Sequence, residues 1–204
     1  FALAVTHPQA GNLGGGGFML IHIASENRTI ALDFREVAPQ NASRNMFIDD
    51  QGNVDSKKSR FSIYSVGVPG SVSGLLNALN QYGTFSRKQV MAPAITLAKK
   101  GIIVSNELST SLKRAQSRLM KDPYLSTIFY PKATVPSPGS KLIQKDLAKS
   151  LTSIARSGHK AFYDGPISTA LVKLMKEKKG LISKTDLNQY QSKFRTPIKG
   201  NYRD

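Results

Sequence analysis

The 204-residue sequence contains no cysteine. That excludes a disulfide frame and a thiolate metal site. Its three histidines, His7, His22 and His159, are far apart and lack the short spacing of metal ligands. No apolar run approaches the ~18 residues needed to span a bilayer. Acidic side chains are scarce, thirteen against twenty-nine basic, which leaves a net charge of +16. The scarcity is uneven: residues 1–55 carry three basic and six acidic groups, and residues 56–204 carry twenty-six and seven. A basic excess of that size raises a polyanion-binding reading, because neutralised phosphates release counterions. The lysines, however, are spread along several helices with few aromatics between them for base stacking, so no nucleic-acid partner is expected.

Familiar catalytic patterns are missing as well. Gly11 to Gly17 lacks the G-x-x-x-x-G-K-[ST] order of a phosphate loop, and a strand rather than a helix follows it. Gly70-Ser71-Val72-Ser73-Gly74 puts neither serine at the centre of G-x-S-x-G. No nucleophile–histidine–acid triad can be assembled from this chain. Asn27-Arg28-Thr29 and Asn41-Ala42-Ser43 fit the glycosylation pattern, which has meaning only in a secreted eukaryotic protein.

Two features are present and informative. Gly14, Gly15, Gly16 and Gly17 form an unbroken run just before the apolar Phe18-Met19-Leu20. Such a run is costly inside a helix or strand and suits a tight turn where backbone or side chains must approach closely. Ala31-Leu32-Asp33-Phe34-Arg35-Glu36 then places a guanidinium at the end of a short apolar stretch. From the residues alone, Arg35 between Asp33 and Glu36 reads as a salt-bridge partner or as a clamp for a carboxylate, which its planar fork grips with two parallel hydrogen bonds.

Periodicity organises the rest. Residues 18–24 and 29–34 read as two strands of a hairpin, apolar enough for a sheet covered on both faces. Residues 41–60 read as a polar surface excursion. Ser71 is read as an N-cap for Val72, Leu75, Leu76 and Leu79, with Gly83 as the stop. Ser86 with Gln89 forms a capping box for a helix reaching Gly101, with a kink or break expected at Pro93. A third helix runs from Ser105 to a stop at or before Asp122. Leu147, Leu151 and Ile154 mark another that closes at Gly158. Pro166 opens the next, with Ile167, Leu171 and Leu174 inward. Ser183 and Asp186 cap a short last helix, and residues 194–202 read as extended. The fold class is α+β, a single domain fragment with a strand-rich segment at 1–64 and a mostly helical region at 65–204.

The segment Pro8–Glu36 resembles the gamma-glutamyltransferase (gamma-glutamyltranspeptidase) family, whose members carry a G-G-G-G-F-M-like run and a D-F-R-E-like segment. The resemblance continues through Ser65–Gly70, Pro93–Ala98, Ala161-Phe162-Tyr163-Asp164-Gly165, Thr185-Asp186-Leu187 and Tyr202-Arg203. It is weakest over residues 123–139. It implies part of the large subunit of an N-terminal-nucleophile hydrolase, contributing to an αββα sandwich. It implies that Arg35 binds the α-carboxylate of a γ-glutamyl donor such as glutathione, and that Gly14–Gly17 shape the floor of the site. The nucleophile it implies is a threonine that opens a second, smaller subunit after self-cleavage, downstream of a tyrosine-arginine-glycine-like segment. None of this chain's threonines lies in a matching motif, so these residues alone are expected to be inactive. Water or an amino-acid or peptide amine is the expected acceptor, with no cofactor, in a periplasmic or secreted protein. Same-fold alternatives are a poly-γ-glutamate depolymerase or an acylase. The alternative from another class is a basic, non-catalytic polyanion-binding protein.

Overall fold

The computed structural model describes residues 1–203. In chain order the elements are α1 (Ala2–Thr6), β1 (Phe18–Ile23), β2 (Arg28–Asp33), α2 (Ser56–Phe61), α3 (Ser71–Tyr82), α4 (Arg87–Lys100), β3 (Ile102–Ile103), α5 (Asn106–Leu119), α6 (Pro123–Phe129), β4 (Lys141–Leu142), α7 (Lys145–Ser157), α8 (His159–Tyr163), α9 (Pro166–Glu177), α10 (Lys184–Gln189) and β5 (Lys193–Arg195). They fall into two compact units, each assembled from separated stretches of chain: residues 1–12 with 86–156, and residues 13–85 with 157–204.

The first unit is helical. Ser86 and Gln89 form the expected capping box at the start of α4, and the helix runs unbroken through Pro93 to Gly101, whose φ of 92° ends it. Pro93 is exposed, so its missing N–H falls on the solvent side. Gln144 N–H donates to the Ala98 carbonyl at 3.0 Å, and Arg87 closes the opposite end of α7 through bonds to the Ala155 and Arg156 carbonyls, both 2.9 Å. A guanidinium suits that place, since the last carbonyls of a helix have no partner within it. Asp122 and Pro123 act differently from expectation. The pair stops α5, but it also starts α6, with the Asp122 carboxylate accepting from Tyr124 and Leu125 N–H. Val5, Met91, Leu112, Leu142, Leu151 and Ile154 are buried here, as is Tyr130, whose hydroxyl donates to the Leu112 carbonyl at 2.8 Å.

The second unit holds the sheet. β1 and β2 pair antiparallel with Phe18 opposite Asp33 and Ile23 opposite Arg28, turning through Asn27 in a left-handed conformation. β5 adds to the other side of β2, with Leu32 opposite Phe194. Ile30 and Leu32 are buried, but Phe18 and Leu20 on β1 are 66% and 71% exposed. In this chain the sheet is therefore covered on one face, not on both. Two further expectations are corrected. Ser71 is the first residue of α3 rather than its cap, which is Gly70: the N–H groups that a Ser71 cap would hold go elsewhere, Ser73 to the Tyr163 hydroxyl at 3.2 Å and Gly74 to the Gly70 carbonyl at 3.0 Å. In α9 the buried positions are Ser168 and Met175, whereas Leu174 is exposed. The excursion at 41–60 lies at the surface as expected, with no buried residue, and α2 begins within it, capped by the Asp55 carboxylate.

Candidate functional site

Arg35 lies two residues beyond β2, and the ladder reaches almost to it. Gly17 and Phe34 exchange two backbone hydrogen bonds, of 3.3 and 2.9 Å. The glycine run and the Asp33–Glu36 segment thus lie side by side, as a tight approach demands. A Cβ on Gly16 would come within 2.6 Å of the Phe34 carbonyl oxygen and 2.7 Å of the Glu36 nitrogen, and one on Gly17 would press on the Phe34 ring at 3.1 Å. None of the four glycines has a positive φ, so close approach and not left-handed geometry accounts for them. Gly70 and Gly74 serve the same knot from α3. A Cβ on Gly70 would overlap the Phe34 carbonyl and the Tyr190 hydroxyl, and one on Gly74 the Phe34 ring.

The backbone at Arg35 is held on both sides. Its N–H donates to Asp33 Oδ1 at 3.1 Å, and its carbonyl accepts from the Tyr190 hydroxyl at 2.8 Å. One residue past Glu36, Val37 and Val68 exchange hydrogen bonds of 3.4 and 2.8 Å. Asp33 is itself fixed by Arg195, Nε to Oδ2 at 2.6 Å. The Arg35 N–H, and after it Arg195, hold the Asp33 carboxyl below the usual carboxylate range. The salt-bridge reading of Arg35 therefore fails at Asp33, whose carboxylate is taken by β5. The Arg35 side chain is exposed, and its guanidinium has no ion pair or hydrogen bond among the described residues.

Tyr190 is fully enclosed and stands in a file of rings. It stacks on Tyr163 at 5.7 Å with planes 7° apart, and His159 stacks on Tyr163 at 4.2 Å. The Tyr163 hydroxyl donates to the Pro69 carbonyl at 2.8 Å and accepts from Ser73 N–H at 3.2 Å. Burial, and then the charges of Asp33 and Glu36, push the Tyr190 phenol up to about 12, so it stays a donor at any physiological pH. Below it, a cleft of about 330 Å³ is bordered by Val37, Gln40, Asp186 and Tyr190. Burial opposes ionisation of Asp186, but hydrogen bonds from Ser183 and from Gln40 N–H outweigh it and keep the acid ionised.

Comparison with known proteins decides the family. A profile described as Gamma-glutamyltranspeptidase matches residues 1–204. The chain belongs to the gamma-glutamyltranspeptidase family. It is 48% identical to the glutathione hydrolase proenzyme of Escherichia coli over all 204 residues, which are 35% of that proenzyme. It is 34% identical to the acylase ACY 1 proenzyme of Pseudomonas sp. strain V22, covering 37% of it. The crystal structure of Helicobacter pylori gamma-glutamyltranspeptidase superposes with a TM-score of 0.96 at 44% identity, over 99% of this chain and 58% of that one. The chain thus spans about a third of the length of the curated relatives it matches. Its fold is α+β, part of the αββα sandwich of the N-terminal-nucleophile hydrolases.

Tyr190, Tyr163, Arg195, Gly70 and Gly74 were not singled out as site residues from the sequence. For the two glycines and for Tyr163 a signal existed, since all three lie in or beside the segments Ser65–Gly70 and Ala161–Gly165 that carry the family resemblance.

Proposed function

We propose that this chain supplies the donor-binding part of the large subunit of a glutathione hydrolase/gamma-glutamyltransferase, with Arg35 gripping the α-carboxylate of the γ-glutamyl donor. One observation carries the reading: an unpaired, exposed guanidinium on a backbone fixed by three neighbouring segments. A surface arginine kept only for solubility has no need of such a mount. A planar fork held at a fixed origin can meet a carboxylate with two parallel hydrogen bonds.

The chemistry is assigned to a partner subunit bearing an N-terminal threonine. Its free α-amine takes the proton from its own hydroxyl. The hydroxyl oxygen attacks the γ-amide carbonyl, backbone donors hold the oxyanion, and the amine leaves protonated. Water or an acceptor amine then opens the γ-glutamyl ester and restores the threonine. The proenzyme names of the relatives support cleavage of a precursor into two such subunits. The exposed Phe18 and Leu20 on β1 support a sheet covered by chain beyond these residues. Among the described residues no helix is long and apolar enough to cross a membrane; export to the periplasm or medium belongs to the proposal.

The requirement for a free α-carboxylate separates this reading from an acylase, which needs none. The test is steady-state kinetics of the full-length, processed enzyme with a chromogenic γ-glutamyl anilide. Arg35→Ala should raise KM roughly 30- to 300-fold, the value of a charged two-point contact. Arg35→Lys should recover little of that loss. Unchanged KM in both variants would remove Arg35 from the site.

A further inference from the structure

We propose that Tyr190 is a positioning residue for Arg35: its hydroxyl fixes the Arg35 carbonyl and so aims the guanidinium at the donor carboxylate. The inference rests on the reading of Arg35 as the carboxylate ligand and adds to it the device that sets its direction.

The argument starts from what a long side chain costs to order. An arginine carries about 2 kcal/mol of rotamer freedom, and whatever the backbone leaves loose adds to that on binding. Arg35 sits outside the strand ladder, so no sheet hydrogen bond holds its own carbonyl. Tyr190, distant in sequence and just past α10, supplies the missing donor at 2.8 Å. The Tyr190 ring has no room to swing away. It is 4% exposed, lies parallel to Tyr163, and Tyr163 is locked by bonds to Pro69 and Ser73 on the segment leading into α3. Gly70 completes the device from the other side, because any Cβ there would occupy the space of both the Tyr190 hydroxyl and the Phe34 carbonyl. A tyrosine needed only for core filling would not require a glycine opposite its oxygen. The oxygen is the part that the packing protects.

The pairing also explains why the donor here is a phenol. The acceptor lies near Asp33 and Glu36, whose negative charge would repel an ionised partner; burial, and after it those charges, keep the phenol protonated. A lysine could donate too, but its charge would set a second cation beside the guanidinium and compete with it for the donor carboxylate.

The experiment uses the full-length, processed enzyme with Tyr190→Phe, which keeps the ring and the stack and removes one oxygen. KM for the γ-glutamyl anilide should rise about fivefold, the factor that one neutral hydrogen bond is worth, with kcat within about twofold. The effect should vanish when there is no guanidinium to aim: Tyr190→Phe added to Arg35→Ala should leave KM within about twofold of Arg35→Ala alone. It should also vanish with 4-aminobutyryl anilide, a donor that lacks the α-carboxylate. Tyr163→Phe, which unlocks the stack one ring away, should give a smaller rise in the same direction and stands in if the Tyr190 variant does not fold. A merely structural tyrosine would lower Tm and weaken both donors alike, on either background, and that pattern would overturn the proposal. So would an unchanged KM in both tyrosine variants while Arg35→Ala raises it. If Arg35→Ala itself leaves KM unchanged, it is the reading of Arg35 that has failed.

Discussion

The two units of this molecule are built differently, and both are basic, the first far more one-sidedly than the second. The first carries thirteen basic and three acidic side chains on 83 residues; the second carries sixteen and ten on 121. The first also has the roomier cavity, about 670 Å³, edged by Ile95, Lys99, Lys145 and Arg156. By charge and by volume, attention would fall there. Yet its cations stand mostly on ordinary helices, whereas in the second unit one arginine is mounted on a backbone that Asp33, Tyr190 and close-packed glycines hold. On the proposed reading, the site is marked by how firmly one side chain is held, not by the number of charges or the size of a hollow.

That contrast breaks first, and with the largest effect, at the glycines. In the second unit Gly70→Ala and Gly74→Ala each force a methyl into Phe34, and Gly70→Ala also into the Tyr190 hydroxyl. Each should cost about 3 kcal/mol or more, because the neighbours are backbone and an enclosed ring. Gly139 in the first unit has a φ of 82° but nothing within 4 Å of a built Cβ, so Gly139→Ala should cost only about 1 kcal/mol of backbone strain. Thermal melts of the full-length protein give both numbers. Equal losses at Gly70 and Gly139 would mean that the knot around Phe34 is loose.

Next in size is the buried acid. Asp186 accepts from Gln40 N–H, Ser183 N–H and Ser183 Oγ, and is 6% exposed. Asp186→Ala strands those donors and should cost about 2 kcal/mol. Because folding lowers the Asp186 pKa, its contribution is present above the ordinary 3.8 and is lost as pH falls through the lower folded value. Acid unfolding of the wild type should therefore be steeper below pH 3.8 than that of Asp186→Asn. The charge contrast gives a third, smaller test. Lys145→Glu in the first unit should shorten retention on an anionic polymer column and leave KM for the anilide within about twofold, while Arg35→Ala should do the reverse. If Lys145→Glu raises KM as Arg35→Ala does, the assignment of donor binding to the second unit is wrong.

Much of the frame was legible because its signals are local. The hairpin at 18–33, the boxes Ser86/Gln89 and Ser183/Asp186, and the stop at Gly101 each depend on residues a few positions apart. Errors arose where one local signal had two meanings. Asp122-Pro123 is a stop for α5 and equally a start for α6, and Ser71 looks like a cap until the Tyr163 hydroxyl, from far along the chain, is seen to accept from the Ser73 N–H. Leu174 and Met175 are adjacent, and only packing decides which of them faces inward. Arg35 is legible through the resemblance of Asp33-Phe34-Arg35-Glu36 to the family's segment, since by itself an arginine between two acids reads equally as a salt-bridge partner. Tyr190 is not legible, since its partner is a backbone carbonyl 155 positions away and a carbonyl carries no sequence mark.

The smallest expected effect refines the second unit alone. His159 stacks on Tyr163, and burial lowers its pKa below the ordinary 6.5 by more than a hydrogen bond to the Tyr190 backbone raises it. At pH 6.5 the ring thus holds less of a proton in the fold than in the unfolded chain, where it is half protonated. The sign follows: stability from this group is whole above pH 6.5 and is lost as pH falls toward the folded pKa. Between pH 7.5 and 5 the wild type should lose more of its Tm than His159→Phe, which keeps a ring on the stack and cannot titrate. That window lies well above the one in which Asp186 acts, so the two contributions separate on one pH series. An identical slope in the variant would show that the ring file, and with it the support under Tyr190, does not sense the His159 proton.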